Sequence, residues 1–256
     1  DTEHTAISGT SMATPHVAGA AALLLQKNPD WNPEEIKMAL RSTAVSIGEH
    51  IYTQGYGRID VLNSINFNGI PSIAKIETGG KISDIIDVIG TASGREFNKY
   101  TLYHGQEENP SEWTEIVSST TPVEDGVLFA NFDSFLLNEG NNYFKLVVWN
   151  NNGEISEDRN IIIVDNINIE NPLNSDIYKT GTQINILGSV KGDFDNFIVE
   201  YSISDSEQWS TSGIALTNEG TTKIIDDVIA TWDTTGIATG MYDIRLVLNL
   251  EDGRQI

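Results

Sequence analysis

The residues best suited to chemistry stand together near the start of the chain, in Ser8-Gly9-Thr10-Ser11-Met12-Ala13-Thr14-Pro15-His16-Val17-Ala18-Gly19. Ser11 carries a hydroxyl that could act as a nucleophile, and an apolar run begins just behind it. A serine at a helix N-terminus points its backbone N–H outward with the positive end of the dipole, ready to stabilise an oxyanion. Glycine two residues before it lets a substrate backbone approach closely. Serine is also a favoured N-cap, and Ser8, Gly9 and Thr10 are common turn residues, so a purely structural role stands beside the catalytic one. Met12 is apolar filler before it is anything else. His16 lies more than a turn deeper into the same helix and is no base for Ser11.

The elements that must position these residues are helical up to about residue 68. Thr10 to Lys27 is small and apolar on every face, which predicts a helix buried all round, and Asn28-Pro29 ends it. A second helix opens on Asn32 as N-cap, with Pro33 at the first position and Glu34 and Glu35 at the positive end. Glu35 stands three residues after the cap, as a capping box requires. Ile36, Ala39, Leu40 and Ala44 form its apolar stripe. Gly55-Tyr56-Gly57 marks a turn, and Asp60 caps a short helix carrying Val61, Leu62 and Ile65.

After Ile70-Pro71 alternating β-rich runs are separated by Gly, Asn and Asp clusters, the pattern of antiparallel sandwiches. The runs repeat. Ile86-Asp87-Val88-Ile89-Gly90-Thr91-Ala92 matches Ile184-Asn185-Ile186-Leu187-Gly188-Ser189-Val190, and Tyr103 aligns with Tyr201. Trp113 lies near the counterpart of Trp209, Phe132-Asp133 matches Trp232-Asp233, Gly140 matches Gly240, and Gly153 matches Gly253. A period of about 100 residues is the size of one immunoglobulin-like or fibronectin-like sandwich.

With its flanks, the Ser8–Gly19 segment closely resembles the nucleophile motif of the subtilisin-like serine proteases. The likeness continues through the apolar helix, the Asn-Pro break, the second helix and Gly55-Tyr56-Gly57-Arg58-Ile59-Asp60. The resemblance implies that Ser11 is the nucleophile and that its N–H is one oxyanion donor. It further implies that Thr10 supports the other donor and that Ser8 and Gly9 line the substrate channel. Met12 would pack against the catalytic histidine, and His16 would be structural. It also implies an extracellular protein, secreted or on the cell surface, that acts on protein or peptide substrates. The family places the acid and the base upstream of the serine. Asp1 and His4 precede Ser11 too closely for those roles, so they are read as coincidences, and Ser11 without its base is a weak nucleophile. An α/β-hydrolase elbow fails, because the second glycine is missing after Ser11 and neither His50 nor His104 is a credible base.

The expected fold is therefore mixed: residues 1–68 as the C-terminal helical part of a subtilisin-like α/β peptidase domain, followed by two all-β sandwich domains, fibronectin type III-like or immunoglobulin-like. These span 72–165 and 166–256, the second expected to be truncated at Ile256. Asp1 is not a methionine, which fits a chain cut from something longer. The N-terminal remainder of the catalytic domain is then the partner it needs, and the segment alone is expected to be inactive and poorly stable. The other reading is a surface adhesion or binding protein with a vestigial protease-like segment.

The bulk numbers exclude several classes. The 37 acidic and 15 basic residues give a net charge of −22, which repels nucleic acid and anionic membranes. The longest apolar run, Val17 to Leu25, is about half of a membrane span. No cysteine is present, so disulfides and thiolate metal sites are excluded. The chemistry requires no cofactor. Structural calcium fits the acidic surface and the resemblance, but Asp193, Asp195 and Asn196 after Gly192 lack the spacing of a calcium loop and read as a solvated turn. Trp113, Trp149, Trp209 and Trp232 could stack on sugars, although packing is the commoner role of such residues in a sandwich.

Overall fold

A computed structural model describes residues 8–106 and 110–256. They form four helices followed by fourteen strands, so the chain is mostly β-sheet with few helices. The helices are α1 (Thr10–Lys27), α2 (Pro33–Ser42), α3 (Ile51–Gln54) and α4 (Val61–Ile65). Local chemistry sets their ends as the sequence leads one to expect. Asn32 accepts from the Glu35 N–H at 2.9 Å while Glu35 accepts from the Asn32 N–H at 2.7 Å, a complete capping box. Asp60 caps α4 through the Asn63 N–H at 3.0 Å.

The burial of α1 departs from expectation. Ala20 and Leu24 are buried, but Val17, Leu23 and Leu25 remain 42–48 % exposed. The helix packs on one side only, where Ala20 and Leu24 join Trp31, Ala39, Leu40 and Phe67 in one apolar cluster. Among the described residues nothing covers its other faces.

The first set of strands comprises β1 (Ile73–Ile76), β2 (Gly80–Ile82), β3 (Ile85–Ser93), β4 (Phe97–Gln106), β5 (Thr114–Ser119), β6 (Val123–Asp133), β7 (Gly140–Asn150) and β8 (Ile155–Val164). They form two sheets, ordered β1-β3-β6 and β2-β8-β7-β4-β5. Phe132 of β6 meets Phe144 of β7 edge to face at 5.2 Å, and the Tyr100 hydroxyl donates to the Leu128 carbonyl at 2.7 Å, so the sheets close on each other as a sandwich.

The second set comprises β9 (Ile167–Asn171), β10 (Gln183–Val190), β11 (Asn196–Ile203), β12 (Ile214–Leu216), β13 (Ile224–Asp233) and β14 (Tyr242–Asn249). Its sheets are ordered β12-β13-β10-β9 and β11-β14. Ile186, Ile229 and Trp232 from one sheet and Phe197, Val199 and Leu248 from the other share one buried core.

By contacts the chain divides into two compact units. One holds residues 1–80, 87–132 and 141–162; the other holds 81–86, 133–140 and 163–256. The helical segment and most of the first sandwich therefore share a unit, and two charged contacts join them. Arg95, in the turn between β3 and β4, donates to both carboxylate oxygens of Glu35 at 2.8 Å, and Glu35 is 1 % exposed. On the other side of α2, Arg41 and the Tyr56 hydroxyl donate to Asp158 of β8. Asp158 also accepts from the Ile76 N–H at 2.7 Å, and Arg41 stacks over the Tyr56 ring at 3.8 Å.

The internal repeat is visible in three dimensions. A Cβ on Gly90 would stand 2.2 Å from the Lys75 carbonyl oxygen, and one on Gly188 would stand 2.1 Å from that of Asn168. Each copy thus needs glycine where its first strand crosses. Asp133 accepts from the Phe135 N–H and Asp233 from the Thr235 N–H, both at 2.9 Å; the shared aspartate is a turn device. One pairing shifts. Tyr103 lies opposite Lys145, while Glu200 lies opposite Arg245, so Tyr103 corresponds to Glu200 and not to Tyr201. A slip of one residue exchanges the faces of a strand. Tyr201 accordingly sits in the core, stacked 4.4 Å from Trp232, while Tyr103 lies on the outer face.

Candidate functional site

Ser11 lies in the first turn of α1. The N-cap position belongs to Gly9, and Thr10 is the first helical residue, so Ser11 is not the helix cap. Gly9 has φ 145° and ψ 169°, a region that is essentially glycine-only. This backbone turn starts the helix without a side-chain cap. It leaves the N–H of Ser11 among the first-turn donors that have no helical carbonyl behind them. Pro15 follows four residues later inside the helix and has no N–H to give the Ser11 carbonyl. Ser8, Gly9, Thr10 and Ser11 are all exposed, and Met12 is partly buried.

The arrangement offers an exposed serine hydroxyl and a first-turn N–H beside it. It does not offer a base: among the described residues no His, Lys, Asp or Glu side chain hydrogen-bonds Ser11. His16 is tied to its own helix, its Nδ1 2.9 Å from the Met12 carbonyl oxygen. His50 stands 3.5 Å from the Tyr143 hydroxyl. His104 is on β4, where burial holds its imidazole below the ordinary value. Asp1 and His4 lie outside the described residues. A polar cleft of about 290 Å³, lined by Arg41, Ser42, Gln54, Tyr56, Glu157 and Arg159 among others, does not include Ser11.

The remaining candidates resolve into structure. Trp232 is in the core. The other three candidate tryptophans of the sandwiches carry a cation over the ring: Lys145 over Trp113 at 4.2 Å, Lys99 over Trp149 at 4.7 Å and Arg245 over Trp209 at 4.1 Å. Asp193 pairs with Lys223 at 2.8 Å, and among the described residues no group of three or more His, Asp or Glu side chains is placed to hold a metal ion. No helix of the described residues is long and apolar enough to cross a membrane. The residues that sequence reading missed are Arg95, Arg41 and Asp158. Their only local signal is the charge itself, since their partners lie 60 and 117 residues away.

Ser11 thus stands in the first turn of an apolar helix, behind a glycine in a glycine-only conformation. Comparison with known proteins is specific on this segment: residues 2–58 match the model of the subtilase family. Over 53 residues the chain is 53% identical to Subtilisin Savinase of Lederbergia lenta, covering 20% of each chain. Over 56 residues it is 54% identical to Subtilisin E of Bacillus subtilis (strain 168), covering 22% of this chain and 14% of that one. The chain thus spans about a fifth or less of the length of these relatives. Among solved structures, the fibronectin(III)-like modules of Clostridium thermocellum CbhA align over 70% of this chain and 87% of theirs, at 12% identity and TM-score 0.23. A tetra-tandem repeat from the extending region of a large adhesion protein aligns over 68% of this chain and 47% of its own, at 13% identity and TM-score 0.22. At such scores the sandwich assignment rests on the strand pairing above.

Proposed function

We propose that residues 1–68 are the C-terminal helical portion of a subtilisin-type serine endopeptidase and that Ser11 is its nucleophile. Ser11 Oγ attacks the peptide carbonyl and forms an acyl-enzyme. Its own N–H supplies one oxyanion donor, Thr10 supports the second, and Ser8 and Gly9 line the channel for the substrate chain. The base and the acid come from polypeptide that precedes residue 1 in the full protein, so the 256-residue chain alone does not hydrolyse peptides. The parent acts on proteins outside the cell, and the two sandwiches attach, space or stabilise its catalytic domain. Any calcium serves structure, and none is needed for the chemistry.

The observation that carries this reading is the subtilase-family match over residues 2–58, which includes the serine and its flanks. It is supported by the backbone of Gly9, which gives that turn a stereochemical reason to be glycine. The test is fluorophosphonate labelling of the full-length parent, followed by peptide mapping. Label on Ser11, with no label on Ser11→Ala, is the expected result. An unlabelled Ser11 in a folded parent overturns the reading and leaves a binding protein with a vestigial segment. Peptide hydrolysis by the purified 256-residue chain would refute the placement of the base upstream.

A further inference from the structure

Cations are scarce in this chain, 15 against 37 acids, yet two of them meet over one indole ring in the first sandwich. Lys145 of β7 places its Nζ 4.2 Å from the centre of the Trp113 ring and 5.0 Å from that of Tyr103, its cross-strand neighbour on β4. The Arg159 guanidinium of β8 approaches the same indole at 5.5 Å. Strands β8, β7 and β4 are adjacent in that order, so Arg159, Lys145 and Tyr103 form a row across the outer face of the sheet. Trp113 is fixed in place, packed so closely on Gly105 that a Cβ there would stand 3.0 Å from its ring.

The two cations are incompletely served. Arg159 donates through Nε to Glu157 at 2.5 Å, and among the described residues its two terminal nitrogens have no partner. Lys145 is half-buried, yet among the described residues it has neither a hydrogen bond nor an ion pair, and its ammonium meets only ring faces. A ring face attracts a cation but offers no lone pair to its N–H groups. Burial pushes the Lys145 ammonium below its ordinary value; Glu157 opposes this and Arg159 adds to it. Glu115, across from Tyr103 on β5, pairs with neither cation. A desolvated charge without a counter-ion is costly, and an anion brought to it removes that cost. Arg159 also lines the polar cleft of about 290 Å³ described above, so there is room beside the row for more than a single ion.

We propose that Lys145 and Arg159 form a carboxylate-binding site for an acidic peptide segment. One side-chain carboxylate of the segment lies between the Lys145 ammonium and the terminal nitrogens of Arg159, whose planar fork matches it. The cleft beside Arg159 takes the neighbouring residues. Charge makes the site selective: the chain as a whole, at −22, repels anions, so an acidic segment is held only where cations lack partners.

The probe is the unlabelled peptide acetyl-Gly-Asp-Glu-Asp-Glu-Gly-amide, titrated calorimetrically into the full 256-residue chain, with acetyl-Gly-Asn-Gln-Asn-Gln-Gly-amide as an uncharged control of the same shape. Saturable binding of the acidic peptide is expected, with the control at least about tenfold weaker. Lys145→Met keeps a stem on the two rings and removes the ammonium; Arg159→Gln removes the fork. Each should weaken binding at least about tenfold, the scale of one charge-assisted hydrogen bond. Lys99→Met removes an equal charge from the same sheet, over Trp149, which stands four residues or about 13 Å along β7 from Lys145. It should leave binding within about twofold, since its charge is screened at that distance. Saturating acidic peptide should raise the thermal midpoint of the native chain and leave that of Lys145→Met unchanged. Should Lys145→Met fail to fold, Arg159→Gln, on an exposed side chain, carries the same comparison. Absence of binding by the acidic peptide, equal binding of both peptides, or an equal loss in Lys99→Met and Arg159→Gln would each overturn the proposal.

Discussion

Arg41→Met tests the joint between α2 and the first sandwich. The native pair is well buried, with Arg41 17 % and Asp158 12 % exposed in their side chains. Removing one partner of a buried ion pair costs roughly 3–5 kcal/mol, because the other charge stays desolvated. Here the Ile76 N–H and the Tyr56 hydroxyl still serve Asp158, which places the loss near the lower bound, about 3 kcal/mol. For a unit of this size about 2–4 °C is lost per kcal/mol, so the midpoint of the first thermal transition should fall by about 6–12 °C. The effect should also depend on pH. Burial pushes the Asp158 carboxyl up, opposed by the Ile76 N–H and by Arg41; without Arg41 it rises further. A carboxyl with a folded value above its unfolded one takes up its proton first in the folded state, so stability increases as pH falls through that value. The loss should therefore be largest at neutral pH and smaller near about pH 5. Adding Asp158→Asn to Arg41→Met should cost less than the sum of the single changes, since the pair is coupled. Calorimetry of the single and double variants at both pH values is the assay. A midpoint shift under about 1 °C, or one independent of pH, would refute the account of the joint.

Other outcomes follow from the same contacts. Gly188→Ala drives a methyl into the Asn168 carbonyl and should destabilise the second sandwich by about 1–3 kcal/mol, read by denaturant titration. Limited proteolysis should yield a stable core that begins with α2, because Glu35 and Asp158 tie that helix to the sandwich; a core beginning near Ile70 would show that the joint does not hold. Between neutral pH and about pH 5 two effects should oppose each other in the thermal midpoint: Glu139 and Asp158, both raised by burial, gain stability from protonation in the fold, whereas His104, which burial holds below its ordinary value, costs stability as the unfolded imidazole protonates first. Below the ordinary aspartate value of 3.8 stability should fall: burial pushes Asp165 up, but Lys191 and Lys81 outweigh it and hold the carboxyl low, and that contribution is lost as the group protonates.

Much of the molecule was legible in the sequence wherever the deciding interaction is local. The capping box of Asn32 and Glu35, the Asp60 cap and the Asp133 and Asp233 turns each join groups two or three residues apart, so residue types at fixed spacing suffice to find them. The start of α1 at Ser11 is local in the same way, since the residue pattern there marks a helix beginning. The spacing did not say whether Ser11 or Gly9 would take the cap position; the backbone conformation of Gly9 decided that. Long-range geometry decided the rest. Nothing near Arg95 or Asp158 in sequence announces Glu35 or Arg41, because those pairs exist only once helix and sheet pack. An apolar composition on all sides of α1 predicted full burial, yet a helix is covered only where another element meets it, and here one face is met. The equivalence of Tyr103 and Tyr201 failed by a single residue, since strand register is set by the partner strand and one step exchanges core for solvent. The sequence determined which elements form and where they stop; the tertiary structure determined which faces meet, because burial depends on neighbours that lie far away along the chain.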